Sequence, residues 1–224
     1  MAPSMLTDWP FGAGHFWLEN SAMETTLQRA QSERTNVRRK DRQVEDDAFI
    51  RDLLRRAPMG VLATVRDGEP YVNSNTFVYD EERDVIYMHS ARTGRTPSNV
   101  AGYERVCLTV TEMGRLLPAD AAFNMSVEYA SAVIFGRARL VDSDEERRHA
   151  LDLLVRRYFP HLLPGDDYRL PSDDELKLTA VYRIEIEEWS GKQKKAADDH
   201  AGAFRYGDHG LAPWLVDGQK HSIR

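Results

Sequence analysis

The sequence predicts a mainly β fold with α additions: six antiparallel strands in hairpin order, with helices inserted between them. Three observations predict it. Short apolar-rich runs recur between Gly, Pro, Asn and Asp punctuation. Asp67-Gly68 stands between two such runs, Gly60 to Val65 and Pro70 to Tyr79, which is a strong hairpin signal. Two segments switch to a helical period, and strands in hairpin order with helices between them argue for an antiparallel barrel.

The elements follow in order. From Asp46, Phe49, Ile50, Leu53 and Leu54 repeat on one helical face, and Pro58 ends the helix. The Asp67-Gly68 hairpin supplies strands one and two. Residues 80–84 make a turn, and Val85 to Ser90 is the third strand. Thr96-Pro97 has the form of an N-cap followed by proline at the first helical position, opening a short helix through Tyr103. Arg105 to Thr111 and Tyr129 to Val141 are strands four and five, and Gly136 marks a bend or bulge. Ser143 and Glu146 fit a capping box, with Ala150, Leu151, Leu154, Val155 and Tyr158 as the apolar face of the helix that follows. Residues 161–175 read as loop, and Thr179 to Ile186 as the sixth strand.

This divides the chain into an N-terminal extension (1–45), one barrel domain (46–195) and a C-terminal tail (196–224). The basic run Arg34 to Arg42 reads as a solvated arm or as a cover for a partner subunit. In the tail, the apolar patch Leu211 to Val216 reads as a docking segment. With 30 basic and 36 acidic residues the net charge is −6, which gives no case for bulk nucleic-acid or anionic-membrane binding. No apolar run is long enough to span a bilayer, and the N-terminus has no secretory pattern. Cys107 is the only cysteine, so neither an internal disulfide nor a thiolate zinc site is possible. A reducing cytoplasm is the expected setting, with Cys107 a strand residue of the core rather than a nucleophile.

The stretch richest in chemistry runs from Tyr87 to Asn99. A strand ends in His89-Ser90; a glycine-containing loop follows, then Arg95 and a helix start. Such an arrangement suits a terminal phosphate, because a helix N-terminus offers backbone N–H groups and a positive dipole end. Ser90, Arg95 and Thr96 add hydroxyl and guanidinium donors. A plain strand-to-helix connection with exposed arginines is the competing reading. There is no Gly-x-Gly-x-x-Gly and no Walker loop.

Several strings in order give a resemblance. They are Gly60 to Val65; Pro70-Tyr71-Val72 leading to Phe77-Val78-Tyr79-Asp80; Tyr87 to Ala91; Gly94-Arg95; and Arg105 to Val110. Together they resemble the FMN-binding split-barrel superfamily typified by pyridoxamine 5′-phosphate oxidase. Ser126 to Ala138, Trp189-Ser190-Gly191-Lys192 and the Arg38-Arg39 stretch resemble its Nim-type (5-nitroimidazole reductase-like) branch. The resemblance covers about residues 35–195.

It implies a six-stranded split β-barrel, a homodimer, and flavin mononucleotide (FMN) at the dimer interface acting on a small molecule such as a nitroaromatic. It also implies a site. His89 and Ser90 stand where the third strand meets the phosphate and ribityl chain. Arg95 matches a phosphate-gripping arginine, and Thr96 stands where many members carry lysine. Asn73, Asn75 and Thr76 resemble the segment that runs along the isoalloxazine. Ser131 and Trp189 match partner-subunit contacts, with Lys192 close behind. Trp189 serves equally as core packing, and Lys192 to Lys195 as a solvated run. His89 is the candidate proton donor beside the flavin, its ordinary pKa lying near neutrality, or else a structural residue holding the loop. His149 is expected on the exposed side of its helix, and His15, His161, His200, His209 and His221 in loops and tail. A binding or sensing protein of the same fold, holding flavin, deazaflavin F420 or haem, is the alternative to an enzyme.

Overall fold

The structure, a computed structural model, describes residues 32–208. The N-terminal segment up to residue 31, the apolar patch Leu211 to Val216, and His15, His209 and His221 lie outside the described residues. Among the described residues no helix is long and apolar enough to cross a membrane.

One antiparallel sheet organises the chain. Its strands are β1 (Gln43–Val44), β2 (Gly60–Arg66), β3 (Glu69–Asn75), β4 (Phe77–Asp80), β5 (Val85–Ala91), β6 (Arg105–Leu117), β7 (Ser126–Leu140) and β8 (Thr179–Lys194). Their order is β3-β2-β6-β7-β8-β5-β4, with β1 on β8 outside that path. The two end strands, β3 and β4, are consecutive in sequence and joined by Thr76 alone. The sheet is therefore a split barrel: its two ends meet in one stretch of chain but do not pair, so it is not closed.

Eight strands replace the six expected, for two local reasons. The run Pro70 to Tyr79 breaks at Thr76, because the Thr76 N–H donates to the side-chain Oδ1 of Asn75 at 2.8 Å. A peptide turned toward the preceding side chain cannot continue the ladder. The short β1 pairs Gln43 with Lys192 and Val44 with Gly191. The segment read as a solvated arm lies on β8: Thr35 and Val37 are buried, and Arg34 pairs with Glu187 and Glu188.

The hairpin between β2 and β3 forms as expected. Asp67 has φ 53° and Gly68 φ 80°, the left-handed pair that a two-residue type I′ turn requires. β6, β7 and β8 run longer than their apolar cores suggest. The β7–β8 register shifts between Phe135 and Gly136, the bulge expected there.

Four α-helices decorate the barrel: α1 (Asp47–Arg56), α2 (Arg95–Gly102), α3 (Asp144–Tyr158) and α4 (Asp173–Leu178). Asp46 caps α1, its carboxylate accepting from the Ala48 N–H at 2.9 Å. Ile50, Leu53 and Leu54 of α1 join Leu62, Phe77, Ile86, Leu108, Ile134 and Tyr182 in the main core. α3 covers a second core of Val78, Val85, Tyr87 and Val181 with Ala150 and Leu154, as its apolar stripe predicts.

The capping box expected at α3 is only half made. The Ser143 hydroxyl accepts from the Glu146 N–H, but the Glu146 carboxylate turns to the Tyr87 hydroxyl at 2.8 Å and to Arg183 at 3.0 Å. A partly buried phenol and guanidinium outcompete a solvated cap. His149 is also not on a free face, since its Nε2 lies 2.8 Å from Oδ2 of the buried Asp80. Helix α4 falls in the stretch read as loop. Its signal was present in Ser172 and Glu175, which form a complete capping box.

Candidate functional site

The split brings together the edge of β3, the end of β5 and the start of α2. Asn75 donates its side-chain N–H to the His89 carbonyl, tying β3 to β5 across the gap. Asn73 Nδ2 lies 3.4 Å from Thr96 Oγ1, tying β3 to α2. Of the expected residues, Asn73, Asn75, Thr76, His89, Ser90, Arg95 and Thr96 thus fall in one neighbourhood. Adjacent strand positions alternate faces, so Asn73 and Asn75 project to the same side of β3.

Helix α2 begins two residues earlier than expected. Gly94, with φ +138°, is its N-cap and supplies no side-chain cap bond. Thr96 is then the second helical residue, 6% exposed, and Pro97 the third. The φ at Gly94 lets the chain enter the helix directly from the loop, so the Thr96 hydroxyl faces Asn73 instead of capping. The first-turn N–H groups of α2 have no side-chain acceptor at the cap, the condition under which a helix start receives an anion.

Arg95 stands at that start. Its Nη2 donates to Glu69 Oε1 at 2.5 Å, and its guanidinium lies 4.9 Å from the centre of the Tyr71 ring. Both partners are on β3, so the hairpin aims this arginine. The pair is solvent-exposed and stabilises the fold little, so its carboxylate can be exchanged for another anion.

His89 alternates with Ser90 and shares the face of Tyr87 and Val181, the one that α3 covers; its Nδ1 is buried there with no hydrogen-bond partner among the described residues. Burial lowers the imidazole pKa below its ordinary 6.5. At neutral pH the ring is therefore neutral. Ser90 Oγ bonds the Tyr182 hydroxyl and the Ala91 carbonyl, the latter at 2.9 Å. Burial raises the Tyr182 phenol pKa, keeping it protonated. Tyr182 was missed in the sequence; a buried residue of the main core, it reaches the end of β5 through its bond to Ser90.

A pH consequence follows for His89. Its folded pKa is depressed, so the unfolded chain binds more protons between that value and 6.5. The associated stability is present above pH 6.5 and is lost as the pH falls through 6.5 toward the lowered value. Urea midpoints at pH 7.5 and pH 5.5 (about one unit either side of the ordinary histidine pKa) should differ less for His89→Gln than for the natural chain. An equal acid loss in both would place the effect on another group.

Three expected residues do not join this neighbourhood. Ser131 pairs with Lys192 across β7 and β8, whereas His89 pairs with Val181 at the other end of β8. Eleven residues of strand separate Val181 from Lys192, roughly 35 Å along the chain. One protomer cannot bring both ends to one small ligand. Trp189 is 3% exposed in its own core, with Nε1 donating to Asp47 Oδ1 at 2.6 Å and Arg51 stacked 5.1 Å from its ring. Of the two roles open to Trp189, packing is the one this chain supplies. Cys107, expected in the core, is only half-buried on the outer face of β6, and burial raises its thiol pKa.

Comparison with known proteins agrees with this architecture. Among solved structures, the flavocytochrome Anf3 from Azotobacter vinelandii is 27% identical with a TM-score of 0.66, covering 76% of this chain and 79% of that one. The FAD and heme binding protein from Mycobacterium smegmatis is 26% identical with a TM-score of 0.62, covering 71% of this chain and 77% of the other. A candidate 5-nitroimidazole antibiotic resistance protein from Bacteroides thetaiotaomicron shares the fold at 24% identity, TM-score 0.56, covering 67% of this chain and 86% of its own. A search of curated proteins found no match. The family model described as pyridoxamine 5'-phosphate oxidase matches residues 46–193, most of the chain and the barrel from β2 to the end of β8 but for its last residue. The chain belongs to the pyridoxamine 5'-phosphate oxidase family.

Proposed function

We propose that this chain binds a flavin nucleotide in the split and, as a homodimer, uses it to reduce a small electrophile such as a nitroaromatic. The observation that carries the reading is the convergence on one gap of an uncapped helix start, an exchangeable arginine and the amide side chains of the β3 edge. The donor set fits the group. The start of α2 and Arg95 would take the phosphate, Ser90 and Thr96 flank the ribityl chain, and the β3 edge at Asn73, Asn75 and Thr76 offers polar groups beside a ring. FMN is the smallest ligand that satisfies all of these.

When bound, the flavin supplies hydride or electrons to a substrate stacked over its ring. The chain's own residues bind, orient and exclude water. Of the two roles open to His89, holding the loop is the better supported: its carbonyl accepts from Asn75 while its neutral ring is buried on the side of α3.

The outer face of the sheet supports the dimer. In register across β3, β2, β6 and β7, Val72, Ala63 and Cys107 form one row beside Val61, Thr109 and Val133 in the next. Val72 is 62% exposed at the edge of this small, uncharged surface. Such a face suits a flat two-fold contact. Pairing there would give the partner's Ser131–Lys192 end of β8 a way to reach a ligand that one protomer cannot offer it.

A second reading is favoured by the names of two of the neighbours, a flavocytochrome and an FAD and heme binding protein. It makes the chain an FAD or haem carrier of the same fold. A visible spectrum separates the cases. Flavin absorbs near roughly 370 and 450 nm and haem gives a Soret band, whereas a deazaflavin absorbs near roughly 420 nm alone. Arg95→Ala should weaken FMN binding by roughly 1.5–3 kcal/mol, through loss of a charge-assisted phosphate contact. Titration of the variant with FMN checks this, and unchanged affinity would place the phosphate elsewhere. A monomeric mass by light scattering would remove the dimer.

A further inference from the structure

A groove of about 840 Å³ opens beside the phosphate end of the split, between the β2–β3 turn and α2. Its features are not those of packing. Tyr103, at the C-terminal end of α2, lines it with a ring 49% exposed. Arg66, at the end of β2, reaches over it to the Ser98 hydroxyl. Gly68 and Gly102 both line it, and a Cβ built at either would meet nothing within 4 Å, so the groove is open along both walls.

The candidate phosphate site lies further along the same helix. Arg95, Ser98 and Gly102 are spaced three and four residues apart, hence on one face of α2. From Arg95 to Tyr103 is eight residues, about 12 Å along the helix axis. A cation at one end, a second cation midway and an exposed aromatic ring at the far end match a nucleotide laid along the helix. The ring would stack a base, and the two guanidiniums would meet a pyrophosphate in their fork geometry. Both arginines now rest on exposed carboxylates, Arg66 on Asp67 at 3.6 Å and Arg95 on Glu69 at 2.5 Å. Pairs of that kind contribute little and are readily exchanged for phosphate.

We infer that this groove holds the adenosine monophosphate half of a dinucleotide flavin, so that the chain takes FAD in preference to FMN. The inference rests on the flavin reading of the split and adds to it the residues that would distinguish the two nucleotides. No redox step is involved; the claim concerns binding alone.

The test is equilibrium titration of the full chain, freed of any bound flavin, with FAD and with FMN, read by quenching of flavin fluorescence. The natural chain is expected to bind FAD at least ~10-fold more tightly than FMN, the equivalent of about 1.4 kcal/mol. Tyr103→Ala removes the stacking surface, and Ala101→Trp fills the groove from the exposed face of α2. Both should abolish the preference for FAD while leaving FMN affinity unchanged, and retained FMN binding shows that the variants are folded. Arg95→Ala should weaken both nucleotides. Equal affinity of the natural chain for FAD and FMN would overturn the inference and leave the flavin reading standing. So would variants that lose FAD and FMN in equal measure. Failure of the natural chain to bind either flavin would overturn both.

Discussion

Trp189→Ala should destabilise the chain by about 3–5 kcal/mol, the range for emptying a buried tryptophan site. The ring is 3% exposed within the main core, so its removal leaves a cavity that β8 and α1 cannot both close. Its Nε1 donates to Asp47 at 2.6 Å, and Asp47 is itself buried in the first turn of α1. Truncation therefore takes a donor away from a buried carboxylate as well as emptying space. Trp189→Phe separates the two terms, restoring most of the volume without the N–H. Urea denaturation checks both variants. The same experiment tests the role that the family resemblance gives this tryptophan. A variant of unchanged stability that loses flavin binding would make the ring a ligand wall rather than a core residue.

Gly136→Ala should cost about 3 kcal/mol, at the upper end for forcing atoms into a packed interior. A Cβ at Gly136 would lie 2.2 Å from the backbone carbonyl oxygen of Glu185 on the neighbouring strand. Backbone on both sides means that no rotamer change can relieve the contact. The β7–β8 register shift lies at this position, so relief would require the bulge to move and the ladder beyond it to slip. Gly60→Ala is the control: its Cβ meets Leu108 Cδ1 at 2.9 Å, the far end of a side chain that can turn. For a chain of this size, about 3 kcal/mol corresponds to a fall in Tm of roughly 6–12 °C. Equal melting temperatures for the two alanine variants would show that the bulge tolerates a side chain.

The barrel was legible in the sequence wherever one strand face is buried and the other is not. The hairpin at Asp67-Gly68, the apolar stripes of α1 and α3 and the bulge at Gly136 each rest on local chemistry that a single sequence displays. What escaped was decided by partners distant in sequence. The end of β8 looks too charged for a strand, because Glu187 and Glu188 find Arg137 and Arg34 only once the fold is made. His149 looks solvated until Asp80, 69 residues away, is placed beneath it. The break at Thr76 turns on one side-chain hydrogen bond that composition does not announce.

The candidate site divides in the same way. The stretch from His89 to Thr96 was visible because a loop, an arginine and a helix start are adjacent in sequence. That Asn73 and Asn75 close on it was visible only through the family resemblance. Ser131 and Lys192 form a pair that sequence alone does not suggest, and it lies far from the remainder within one protomer. The groove beside α2 was not foreseen, because its walls come from two elements whose approach is tertiary.

The single-residue link at Thr76 bears on how the molecule avoids its own kind. An open sheet ends in two edges, and each is a template for adding a strand from another chain. Here both ends of the sheet, β3 and β4, belong to one stretch of chain and are turned toward the same gap. Pro70 and Glu69 sit at the outer end of β3, and a proline and a charge at that point discourage a stray strand. The place where the barrel fails to close is thus where unsolicited pairing with a second chain would begin. It is also where a flat, hydrogen-bonding guest would fit, so one opening can serve as a receptor and, while filled, as a guard against aggregation.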